Sequence, residues 1–140
     1  MFFGHIAVGL AAKPVAPKIP LGALLLSATA IDTLAGVFAI AGIEKMDASG
    51  NSSFPWSHGL LMAVVWAVAG AAIAFLLSRD RRVSAVIGLV VFSHWALDFV
   101  SHPMGFGREL PPDLPLLVEG SPKVGLGLYN SCLLYTSPSP

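Results

Sequence analysis

Three stretches of this chain are apolar, nearly free of charge and long enough to cross a bilayer. They cover residues 21–43, 56–77 and 83–100. A spanning helix needs roughly 20 such residues, and backbone polar groups in lipid must be satisfied within the segment, which leaves the α-helix as the fold for each. The whole chain agrees: 55% of its 140 residues are hydrophobic, 11% are charged, and the mean hydropathy is +0.76. A soluble domain carries about 25% charged residues. The expected class is therefore an all-α integral membrane protein with a single domain. It would have about three transmembrane helices, a short N-terminal helix and a truncated C-terminal segment.

The remaining features fit around those spans. Residues 1–12 are apolar but too short to span, and no cationic residue precedes them as one would in a signal peptide. They read as a short or partly inserted helix carrying His5. Pro14, Pro17 and Pro20 make a stiff connection. Residues 44–55 read as a polar loop, and Trp56 suits a membrane interface. Ala63, Ala67 and Ala71 recur every four residues, as do Gly70 and Ala74. Small residues at that spacing let helices approach closely, within the chain or in an oligomer. Pro103 ends the third span, and a further apolar segment starts at Lys123. Gly125 and Gly127 read as helix-packing glycines, without the spacing of a phosphate loop.

Lys13, Lys18, Arg79, Arg81 and Arg82 fall on one side of this topology, which the positive-inside rule makes cytoplasmic. Lys and Arg balance Asp and Glu at eight each, with no basic patch interleaved with aromatics. Nucleic-acid binding has no support. The one cysteine, Cys132, excludes an intramolecular disulfide framework and a Cys-rich zinc site.

The ionisable residues are partitioned unevenly. All four histidines and two acids lie in or beside apolar segments: His5, Asp32, His58, His94, Asp98 and His102. On one helix, His94, Asp98 and His102 share a face. Such groups need partners, a water-filled cavity or a metal. At 1.5 Å per residue, His94 and Asp32 fall at similar depths below the outer ends of their helices. Imidazole and carboxylate together suit a divalent ion, zinc first among them. The expected ligands are drawn from His5, Asp32, His58, His94 and Asp98. Asp98 or Asp32 could remain free as general base. Ser57, Ser93 and His102 are expected in supporting positions. Other readings stay open: an intramembrane hydrogen bond for His94 and Asp98, and a protonated Asp32 bonded to Ser27 or Thr29. No Ser–His nucleophile is persuasive, because neighbours on a helix do not face each other.

Gly4-His5, Ile31-Asp32, Trp56-Ser57-His58, Ser93-His94-x-x-x-Asp98 and the later Asp113-Leu114-Pro115-Leu116-Leu117 occur in this order. That pattern resembles the YdjM-like bacterial inner-membrane proteins over roughly residues 2–131. The resemblance implies an all-helical, multi-pass protein with a His/Asp metal site at His5, Asp32, His58, His94 and Asp98. It also implies metal-dependent hydrolysis of an ester or phosphoester, on a small-molecule or lipid substrate. The chain departs from the family at Ala30-Ile31-Asp32, where the family has Pro-Asp-x-Asp. It departs again at Trp56-Ser57-His58-Gly59, where the family has His-Arg-Gly-x-x-His-Ser. Losing two potential ligands weakens a two-metal reading. Residues 132–140 read as a non-native tail on a truncated member. The competing functions are proton or metal-ion transfer along the same face, and a structural membrane subunit.

Overall fold

The apolar segments fold as helices, and two of them form a hairpin on which the rest is arranged. A computed structural model describes residues 2–46, 52–101, 114–115, 117 and 123–126. Helix α1 covers Phe2–Ala11, α2 Leu21–Ala28, α3 Ala30–Ile40, α4 Leu60–Ser78 and α5 Arg81–Ser101. Two-residue strands form two short antiparallel ladders. In one, β1 (Lys45–Met46) pairs with β2 (Ser52–Ser53); in the other, β3 (Leu114–Pro115) pairs with β4 (Lys123–Val124). Helices α4 and α5 are each long and apolar enough to cross a membrane; α2 and α3 reach that length only as one bent pair.

The α4–α5 hairpin is closed by local chemistry. Arg79 takes a left-handed conformation at φ 55° and donates its N–H to the Phe75 carbonyl, ending α4. The Asp80 carboxylate then accepts from the Arg82 N–H at 2.8 Å and caps α5. Along the seam, the stripe of small residues does what its spacing predicts. Ala63 and Ala67 are buried against α5. Gly88 is the matching gap on α5: a Cβ there would sit 3.0 Å from the Ala71 Cβ and 3.2 Å from the Ala67 carbonyl.

The N-terminal helices lie against this hairpin. Gly9 brings α1 close to α2, since a Cβ there would be 3.2 Å from the Leu24 carbonyl. The connection from α1 to α2 is held by Lys13, whose ammonium donates to the Pro17 and Ile19 carbonyls. Arg82 donates to the Val15 carbonyl at 3.0 Å, which joins this connection to the α4–α5 turn at one end of the molecule. Ala16, Ile19, Leu24, Ala28, Ile87 and Val90 form one buried cluster. Ile31, Ala63, Ala67 and Val91 form a second.

The expected single span over residues 21–43 is broken. Helices α2 and α3 meet at Thr29 with a 55° bend. Ser27 donates to the Ala23 carbonyl, Thr29 to Leu25 and Thr33 to Thr29. Hydroxyls bonded four residues back compete with the helix ladder and bend it. A groove of about 870 Å³, lined by Ala23, Leu26, Ala30, Leu34, Ile73 and Val91 among others, separates this bent pair from the hairpin.

Helix α3 ends in a Schellman turn. The Ile43 N–H donates to the Phe38 carbonyl and the Gly42 N–H to Ala39, with Gly42 at φ 71°. The chain reverses there and delivers Glu44 inward, where it is 3% exposed. After β2, residues 54–59 form a turn before α4, with the His58 N–H donating to the Phe54 carbonyl. Gly59 is required in it, because a Cβ would fall 2.5 Å from the Pro55 carbonyl oxygen. His58 was expected on the second spanning helix; it lies in this turn instead. The segment from Lys123 is not the start of a helix either. Lys123–Val124 is a strand, Gly125 follows it outside any helix, and the Leu126 N–H donates to the Phe99 carbonyl. His102, Asp113, Gly127 and the tail 132–140 lie outside the described residues.

Candidate metal centre

Four separate pieces of chain bring His5, Asp32, His58, His94 and Asp98 to one place. His5 comes from α1, Asp32 from the first turn of α3, His58 from the turn before α4, and His94 and Asp98 from successive turns of α5. His5, His94 and Asp98 are almost completely buried, at 1%, 0% and 1% exposure, and His58 is 9% exposed. Asp32 is the most open of the five, with 41% of its side chain exposed, and forms the exposed corner of the site.

The donor atoms form a cage. The His58 Nε2 lies 3.4 Å from Asp32 Oδ1 and 3.7 Å from Asp98 Oδ2. The His94 Nε2 lies 3.3 Å from each of the same two oxygens. A tetrahedral ion with bonds of about 2.0–2.1 Å holds its donor atoms about 3.3–3.4 Å apart. Asp32, His58 and His94 together offer donor atoms within 4.8 Å of one another, and so do His5, His94 and Asp98. Either group could hold a metal ion. Each group carries one carboxylate, and Asp32 and Asp98 together would balance a divalent charge in apolar surroundings.

The surrounding bonds orient these donors. Helix α2 ends at Ala28, and the bend leaves the Ala28 carbonyl within reach of a side chain. The His94 Nδ1–H donates to it at 2.8 Å. A carbonyl only accepts, so the proton of neutral His94 sits on Nδ1 and the Nε2 lone pair faces the cage. That Nε2 is buried and makes no hydrogen bond among the described residues. A lone pair aimed at two carboxylates is repelled unless a proton or a metal cation lies between them. His5 stacks flat on His94, with ring centroids 3.6 Å apart, and its Nε2 lies 3.2 Å from Asp98 Oδ1. That oxygen is the one turned away from His58 and His94, so His5 is placed to hold the Asp98 carboxylate as well as to offer a donor of its own.

Three expectations are corrected here. Ser57 and His58 do face each other, because they lie in a turn and not on a helix. The Ser57 Oγ is 2.8 Å from His58 Nδ1. Ser93 is not turned to His94; its hydroxyl donates to the Val90 carbonyl of its own helix at 2.7 Å. Ser27 and Thr29 likewise bond to helix carbonyls, while Asp32 faces the two histidines. Sequence reasoning missed Glu44. Its Oε1 accepts from the Trp56 and Ser57 N–H groups at 2.9 and 2.8 Å, and its Oε2 accepts from the Ser57 hydroxyl at 2.8 Å. In sequence it opens a polar loop, and the one signal was an acid placed two residues past the helix-ending Gly42.

No family model matches this chain, and no curated protein or solved structure matches it.

Proposed function

We propose that this chain is a multi-pass protein of a bacterial inner membrane that binds one divalent cation, zinc by donor set, and hydrolyses an ester or phosphoester. The observation that carries the reading is the cage of two imidazole nitrogens and two carboxylate oxygens, with cross-distances of 3.3–3.7 Å. His58, His94 and Asp98 would hold the ion, with His5 on Asp98, and Asp32 would stand beside the position left open for water. A bound divalent ion would lower the pKa of a water and supply a nucleophile at neutral pH. Asp32, at the exposed corner, admits the water and accepts its proton as general base. Buried Asp98 keeps its place through His5 and stays with the ion. The resemblance to the YdjM-like family supports the same activity.

Membrane insertion is supported by the outward apolar surface. Val68 is 63% exposed, Leu77 83% and Leu89 68%. A soluble monomer rarely shows so continuous an apolar surface. The basic turns at residues 13–18 and 79–82 would face the cytoplasm. A conduit for protons or ions is less well supported. Between the cage and those turns, the described interior is the two apolar clusters.

The test is metal analysis of the purified protein after loading with zinc, beside His94→Ala. One equivalent in the native chain and none in the variant is expected, with ester or phosphodiester cleavage following the metal. A native chain that retains no divalent ion would overturn the reading.

A further inference from the structure

We infer that Glu44 is a positioning residue that, through Ser57, fixes which nitrogen of His58 faces the cage. The inference rests on the metal-centre reading only for its consequence, not for its chemistry. Glu44 receives three donors: two backbone N–H groups on Oε1 and the Ser57 hydroxyl on Oε2. A carboxylate surrounded in this way only accepts. Ser57 has a single hydroxyl proton, and that proton goes to Glu44. The Ser57 oxygen lies 2.8 Å from His58 Nδ1 and has only lone pairs left to offer. The shared proton must therefore belong to the imidazole, with Nδ1–H donating to Ser57. Neutral His58 then presents the Nε2 lone pair to Asp32 and Asp98, as His94 does through Ala28.

The chain of bonds has a direction, and one atom sets it. In Glu44→Gln, the amide oxygen must stay at the two backbone N–H groups, because only it can accept. The amide NH2 is then left at Ser57 and donates to its oxygen. Ser57 turns its own proton to His58 Nδ1, and the proton of the neutral ring moves to Nε2, inside the cage. The shape of the loop is kept and the ligand is switched off. Partners of metal-bound histidines typically contribute about 10–100-fold to affinity.

The experiment uses the full chain in detergent with 15N-labelled histidine. It measures the His58 tautomer of the neutral ring without metal, zinc affinity, and thermal stability. Glu44→Gln is expected to show the Nε2–H tautomer, about 10–100-fold weaker zinc binding and a near-native melting temperature. Ser57→Ala keeps the Glu44 clamp on the backbone but removes the link, so it is expected to give mixed tautomers. If Glu44→Gln does not fold, Ser57→Ala decides. A native Nδ1–H tautomer retained in whichever variant folds would overturn the inference, since a merely structural Glu44 leaves the ring unchanged. A native protein that binds no zinc would remove the metal-centre reading, and the tautomer comparison would still decide the role of Glu44.

Discussion

Asp32 and Asp98 are chemically alike and sit in opposite surroundings. Asp98 is 1% exposed and contacts His5, His58 and His94, whereas Asp32 is partly open to solvent. With zinc bound, Asp98 would be one half of a buried ion pair, and removing its charge leaves the other half uncompensated at a cost of about 3–5 kcal/mol. Asp98→Asn is accordingly expected to lower both zinc affinity and the melting temperature. Asp32→Asn is expected to abolish turnover and weaken zinc binding with little loss of stability, as paired thermal melts and zinc titrations would show. His5→Ala should reduce zinc affinity by about 10–100-fold, less than His94→Ala, if its main service is to Asp98. At this scale much was readable in advance. His94 and Asp98 share a face because α5 is regular. His58 and Ser57 were misjudged because a turn, set by Gly59 and residues 54–58, holds them. Glu44 was invisible because its partners lie twelve and thirteen residues away.

Among the elements, the α4–α5 hairpin and the bend at Thr29 set the cage. The seam has no spare room at Gly88. Gly88→Leu is expected to force α4 and α5 apart, cost about 1–3 kcal/mol and weaken zinc binding by displacing α5. A denaturation midpoint unchanged from the native chain would contradict this. Gly59→Ala acts differently. Its Cβ strikes backbone, so the turn must move, and His58 with it. Metal affinity should fall by more than the melting temperature suggests. The small-residue stripe announced close packing, but the bend was hidden. Ser27 and Thr29 looked like partners for Asp32; their hydroxyls, and that of Thr33, instead bond to carbonyls one turn back and open the helix.

Across the whole molecule, the cage joins two parts of the chain. His5 and Asp32 belong to the N-terminal helices; His58, His94 and Asp98 belong to the hairpin and its approach. An ion bound only by the folded state stabilises it by about 2.7 kcal/mol at one hundred times its Kd. Chelation is expected to lower the melting temperature of the native protein and to leave that of His94→Ala unchanged. The overall helical class followed from composition and run length, because the demand of a bilayer on the backbone is so restrictive. Convergence of the ligands depended on a bend and a reversed loop that run length does not encode.

The same division has a consequence for how the protein is made. In a chain inserted as proposed, α1 to α3 leave the ribosome first, so Asp32 would reach the bilayer before His58 and His94 are in place beside it. For that interval a carboxyl group sits in an apolar segment with its eventual partners absent. The bend at Thr29 gives it a way out. A straight helix would carry Asp32 to the middle of a span, while a helix broken there can keep it near water until the hairpin arrives. The kink that shapes the finished site would then also make the nascent chain tolerable to the bilayer.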